Sequence, residues 1–458
     1  MKTFLLVLGI IFSIFTVLAQ TPAQNRASTV VSNEAFKVEQ LLSRDATLWH
    51  MTSQDFMSEF RALNFRWTSD AKTTARAYVL EGARLMWMEY SVIEMLADFS
   101  NDKLSKMTVI LYSRGDAGQI DIGEFRKAIA KIGSALNQWS GVKEPAEIKQ
   151  TLPVGGMKMQ VLAWVKGPHQ VVGEWSYSEL SNGYLQPEYI RVRLERYDDA
   201  KDPRSALKTS MNSISAKRKG LVTKSELRKN VIKEENNDIV IRNVPMVDQG
   251  AKGYCSVATM ERILSYYGLE ADQHKMAQLA QTNESGTDSV SLLAGLKRVG
   301  PSLGFRVEEV ISLNYNRLEQ FAKRYDAEAK KVGKRQSYWT PPVVDVTRFY
   351  LSLEPEILRD IKTKDLNSKI FINKIKEKID QGIPLVWAVM LGFVEEDPKL
   401  PQARGGHMRM IIGYNAKTNE ILYTDSWGAG HEFKRMSFDD AWMITMELMV
   451  VSPSALVH

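Results

Sequence analysis

The chain has 458 residues, 44% hydrophobic and 25% charged, with a formal net charge of +6. These are the proportions of a globular protein rather than a disordered one, and the charge is too mild for this length to argue for nucleic acid. One cysteine in 458 residues excludes an internal disulfide framework and a cysteine-based zinc site.

Residues 1–19 read as a secretory signal peptide. Lys2 precedes an apolar run from Phe4 to Leu18, and Val17-Leu18-Ala19 fits a small-residue cleavage site. The run is shorter than the roughly 20 residues a membrane span needs, and no cysteine follows it to carry a lipid. A secreted or periplasmic protein is expected, without an integral membrane segment once the signal is removed. Residues 20–33 read as a polar leader.

Residues 34–199 read as an N-terminal α+β domain with an antiparallel sheet, of no recognised family. "NEAFKVEQLLS" and "SQDFMSEFRAL" look helical. "TARAYVLEG", "YSVIEMLADF" and "KMTVILYSRG" look like strands, the last two joined by a turn in "SNDKLS". Ile122, Phe125, Ile129, Ile132 and Leu136 recur at helical spacing. "MKMQVLAWVKGPHQVVGEWSYS" predicts a hairpin through Lys166-Gly167-Pro168, and "EYIRVRLERY" a further strand. "GDAGQIDIGEF" imitates the end of a calcium loop. The early ligand positions, however, fall on Ser113, Gly115 and Ala117, two of which lack a side-chain oxygen, so calcium is not expected. The Lys-rich stretch 200–237 reads as a basic linker or a loosely attached helical hairpin, with a solvated surface. A second domain is placed at 238–458.

Cys255 stands where the loop "QGAKGY" meets a helical pattern, Val257, Met260, Leu264 and Tyr267, that Gly268 is placed to end. A helix N-terminus carries partial positive charge and free N–H groups, which favour a thiolate. The placement suits a nucleophile, although a buried structural cysteine can also open a helix. A thiolate that cleaves acyl bonds needs an imidazole, a group to orient it and donors for the oxyanion. His407 begins an alternating stretch, "NAKTNE" reads as a turn, and "ILYTDSWG" as the returning strand. With the turn centred near Lys417, His407 lies opposite Asp425 to Trp427. Asp425 is then placed to hold one ring nitrogen, leaving the other for Cys255. His274 and His431 read as packing or surface residues, and none of the six histidines has metal-ligand spacing.

These residues resemble papain-like cysteine peptidases. Gln249 precedes the cysteine by six positions, "GGHMRMIIGY" resembles the family's histidine strand, and "DSWG" resembles its "NSWG" element with Asp for Asn. The likeness is closer to the bacteriocin-leader (double-glycine) peptidase-like branch. "VPMVDQGAKGYCSVATMERILSYYG" resembles that branch's opening. "GTDSVSLLAGLKRVGPSLGF" and "IKEKIDQGIPLVWAVM" resemble its middle segments. The resemblance covers about residues 239–458, with Gln249, Cys255, His407 and Asp425 in the family's order.

The resemblance implies a papain-like α+β fold in which a helix carrying the cysteine packs on an antiparallel sheet carrying the histidine and the aspartate. It implies Cys255 as nucleophile, His407 as general base and acid, and Asp425 as its orienting group. The Gln249 amide and the Cys255 N–H would form the oxyanion hole. Trp427 would cover the His–Asp pair or serve as simple core, and Tyr254 would be a packing or cleft-edge residue. No cofactor is implied, and the partner is a peptide or protein substrate. Departures are the "SVAT" after the cysteine and a partly helical insertion at about 312–380. An export signal without a transporter makes leader removal an unlikely task. The expectation is an exported peptidase. Acyl transfer of the transglutaminase-like kind, or a retired peptidase fold acting as a scaffold, are the alternatives.

Overall fold

A computed structural model describes residues 35–151, 157–197, 222–250, 253–269, 272–282, 289–341, 344–397 and 400–454. The signal peptide and polar leader expected at 1–33, and most of the basic stretch, lie outside the described residues. Two compact units divide the chain between Asn212 and Ser213. No helix among the described residues is long and apolar enough to cross a membrane.

The first unit is built on an eight-stranded antiparallel sheet. Its order in space is Arg66–Trp67, Thr74–Tyr78, Glu94–Ser100, Lys103–Ser113, Leu185–Arg196, His169–Glu179, Met157–Lys166, Ala146–Thr151. The hairpin through Gly167 pairs His169 with Lys166, as its turn residues predict. Between Ser100 and Lys103 the turn is only Asn101-Asp102, both at positive φ. That is the two-residue connection whose twist suits a hairpin, so the polar "KLS" belongs to the strand rather than to the turn. The helix Ile122–Ser140 buries Phe125, Ile132 and Leu136. Asp121, the residue that imitated a calcium ligand, caps this helix by accepting from the N–H groups of Gly123 and Glu124. "NEAFKVEQLLS" is not an α-helix. Phe36 and Lys37 pair with Leu85 and Met86, which leaves only Val38–Ser43, and these wind as a 3-10 helix.

The second unit begins earlier than the sequence suggests. Thr223 and Glu226 form a capping box on the helix Lys224–Lys229, and Val231–Lys233 pairs antiparallel with Ile239–Ile241. The described part of the supposed linker is therefore docked structure. Its anchor is Leu227, fully buried, whose carbonyl oxygen lies 2.1 Å from where a Cβ on Gly382 would stand. Gly382 is also at φ +75°, so no other residue fits there without displacing the helix.

The sheet of this unit runs Val231–Lys233, Ile239–Ile241, Gly405–Asn415, Leu385–Leu391, Thr445–Pro453, Phe305–Ile311, with Glu420–Thr424 also pairing Gly405–Asn415. Leu385–Leu391 is buried at every position, which is why it reads as an unbroken apolar run. Helix Cys255–Tyr266 packs against the Gly405–Asn415 strand. The stretch read as an insertion carries helices Tyr315–Lys331, Val346–Leu351, Pro355–Thr363 and Asn367–Ile379. The last buries Phe371, Ile375 and Ile379, so the far end of the insertion is part of the core. Both units mix helices with antiparallel sheet, the α+β class expected.

Candidate active site

Cys255 is the first residue of its helix, and its side chain is buried. The loop before it is tied down. Gln249 N–H donates to Ser426 O at 2.8 Å, and Gly250 N–H to Asp248 Oδ1 at 2.8 Å. The Ser426 hydroxyl donates to Gln249 Oε1 at 2.7 Å, which fixes the plane of the amide. Gln249 and Asp425 thus come from adjoining backbone.

The helix presents a polar stripe to the sheet. Cys255, Thr259 and Arg262 stand at i, i+4 and i+7, one face of a helix. The Thr259 hydroxyl donates to Met408 O at 3.4 Å. Arg262 donates from Nε to Pro245 O, from one terminal nitrogen to Asp425 O and from the other to Thr424 Oγ1, each at 2.7 Å. Its guanidinium thus bolts the Cys255 helix to the end of the strand that leads into Asp425. Burial lowers the pKa of Arg262 to about 10, still well above neutrality, so it stays charged.

The hairpin delivers the other two side chains. Met410 pairs with Thr424 and Ile411 with Tyr423, and a bulge follows before Gly413 pairs with Leu422. Continued outward, that register sets Arg409 beside Asp425 and His407 beside Trp427. His407 Nε2 lies 3.0 Å from Asp425 Oδ1, and both side chains are fully buried. An ionised carboxylate only accepts, so Nε2 carries the proton and Nδ1 the lone pair. Among the described residues Nδ1 has no partner at hydrogen-bond distance, and the helix that opens at Cys255 packs on the strand that carries the ring. Trp427 stacks on His407 with ring centroids 4.0 Å apart and planes within 6°, and His431 meets Trp427 edge-on at 5.6 Å. Tyr254 is 1% exposed and packs edge-on against His274.

Asp425 serves more than His407. Arg409 Nε donates to Oδ1 at 2.8 Å and Lys434 Nζ to Oδ2 at 2.8 Å. Arg409 reaches on to Glu396 through both terminal nitrogens, at 3.0 and 2.8 Å, and the Tyr423 hydroxyl also donates to Glu396. Sequence reasoning missed Arg262, Arg409, Lys434 and Glu396. Only Arg409 left a signal, since residues two apart on a strand share a face.

The charges bias the thiol and the imidazole in opposite directions. Burial pushes the Cys255 thiol pKa up, but the influence of His407 outweighs it, and the net shift is down. Burial pushes the His407 pKa down, but Asp425 and Cys255 outweigh it, and the net shift is up. Asp425 loses by burial and gains more from Arg409, His407 and Lys434, which hold it well below the usual carboxylate range. A buried thiol at a helix start, an imidazole and a permanently ionised carboxylate make a set able to form a thiolate–imidazolium pair.

Comparison with known proteins agrees with this chemistry. Residues 241–448 match the Peptidase_C39 like family. The family likeness read from the motifs at about 239–458 is thus borne out for the second unit, and it supports a function of the cysteine peptidase type. Among solved structures, the peptidase domain of Streptococcus ComA, a bi-functional ABC transporter involved in a quorum sensing pathway, is 13% identical. It covers 46% of this chain and 99% of its own, with a TM-score of 0.24. No curated protein matches.

Proposed function

We propose that this chain is an exported thiol peptidase that hydrolyses peptide bonds through Cys255, His407 and Asp425. The observation that carries the reading is the buried His407–Asp425 pair, 3.0 Å apart, on the strand against which the helix opening at Cys255 packs. The match of residues 241–448 to a peptidase-like family supports it, and residues 1–19 support export.

In this reading the Cys255 thiolate attacks the scissile carbonyl carbon. The resulting oxyanion is met by the Cys255 N–H, a first-turn donor without an intrahelical acceptor, and by the Gln249 amide. His407 gives its Nδ1 proton to the departing amine as the C–N bond breaks, leaving a thioester. Nδ1 then takes a proton from water, whose oxygen attacks the thioester; the C–S bond breaks, the acid leaves and the thiolate–imidazolium pair is restored. Asp425 holds the Nε2–H tautomer throughout, and Trp427 keeps water off the ring. The test is turnover of a denatured protein substrate by wild type and Cys255→Ser, both checked by circular dichroism. The reading predicts complete loss in the folded variant. Unchanged hydrolysis by Cys255→Ser would overturn it.

A further inference from the structure

A cavity lies among the helices of residues 312–380, where they meet the core. It holds about 160 Å³, small beside the roughly 300 Å³ and upward of drug-sized ligand pockets. Arg317 and Arg324 from one helix and Lys362 from another line it, with Trp442 and Thr445 from the core. The Lys362 ammonium is buried. It donates to Thr445 O at 2.7 Å and sits 4.5 Å from the Trp442 ring centroid. An ammonium has three protons, and among the described residues only that one acceptor is found for it. The Arg317 guanidinium is half-buried and has no hydrogen bond or ion pair among the described residues. Arg324 makes only a long bond, 3.5 Å, to Ile361 O. Asp365 is the one carboxylate in the lining, and its Oδ1 already accepts from the backbone N–H and side-chain amide of Asn367.

One buried ammonium, one half-buried guanidinium and one exposed guanidinium, each with unused donors, thus line this cavity, against one carboxylate whose Oδ1 is already taken. Buried charges are ordinarily paired, and an unpaired one is costly. We propose that this cavity binds a small oxyanion, the carboxylate or phosphate group of a ligand, between Lys362 and Arg317. The electrostatics are consistent with a missing counter-charge: burial drives the Lys362 pKa down to about 7, Asp365 opposes the drop and Arg317 adds to it. The site does not depend on the peptidase reading, because none of its residues belongs to the Cys255–His407–Asp425 set.

The test is calorimetric titration of the full chain with inorganic phosphate and, separately, with glutarate, in wild type, Lys362→Met and Arg317→Gln. Saturable binding of either probe, weakened at least about tenfold in both variants, is expected. Phosphate alone, or glutarate alone, binding in this way supports the site and identifies its source. Arg317 is unpaired, so Arg317→Gln keeps the fold even if Lys362→Met does not. Absence of saturable binding by both probes, or affinity unchanged in Arg317→Gln, overturns the proposal.

Discussion

His407 hydrogen-bonds to Asp425 through one nitrogen and leaves the other to Cys255, so the tautomer is set by the carboxylate. Asp425 in turn neutralises Arg409 and Lys434, whose side chains are buried beside it. These two duties separate under mutation. His407→Ala removes the proton carrier, whereas Asp425→Ala removes only its guide, so turnover is expected to fall further in His407→Ala. Stability is expected to follow the opposite order. Asp425→Ala strands the Lys434 ammonium and one side of Arg409, and breaking a buried pair in this way costs about 3–5 kcal/mol. Urea unfolding of the two variants measures this. Equal losses of stability, or lower turnover in Asp425→Ala, would contradict the assignment. The Cys, His and Asp positions were legible because each stands in a recognisable stretch. Lys434 was not, since sequence cannot tell a buried cation from the solvated ones that outnumber it.

The Cys255 helix and the hairpin form one unit because Arg262 spans them, giving three hydrogen bonds to oxygens of Pro245, Thr424 and Asp425. Arg262→Met leaves those buried acceptors unpaired, and a loss of more than about 2 kcal/mol is expected in chemical unfolding. Slower alkylation of Cys255 should accompany it, because the thiol would no longer be held against His407. A stability within error of wild type would show that the sheet alone positions the helix. The apolar face of this helix, Val257, Met260 and Leu264, was legible from its period and is fully buried or nearly so. Its polar stripe was not, because polar residues at helical spacing ordinarily face solvent. The hairpin is similar: its pairing followed from the turn, while the bulge between Ile411 and Gly413 that sets Arg409 beside Asp425 has no signature in the residues. At the docked helix Lys224–Lys229 a single apolar anchor, Leu227, was too little to outweigh a run of lysines.

Across the whole molecule, each unit carries its own buried core, and the candidate site lies within the second. Alternation and turn chemistry disclosed the antiparallel sheet of the first unit, but no constellation in it discloses a chemistry. The family likeness of the second unit was legible from its motifs, while the helices of 312–380 follow no motif. The central claim is the coupling of Cys255 to His407. A thiol pKa shifted down and an imidazole pKa shifted up both stabilise the thiolate–imidazolium pair. The pair persists above the Cys255 pKa and below that of His407. Hydrolysis should therefore fall on both sides of this window, by protonation of the thiolate at the acid end and loss of the imidazolium at the alkaline end. Alkylation needs only the thiolate and should fall on the acid side alone. The most direct measurement is the rate of alkylation of Cys255 by iodoacetamide against pH, in wild type and His407→Ala, with no other thiol in the chain to confuse it. The prediction is a wild-type midpoint well below the free-thiol value of about 8.5 that moves upward in His407→Ala. Two superimposable curves, both following an ordinary thiol, would contradict the coupling and leave the second unit a peptidase fold without its chemistry.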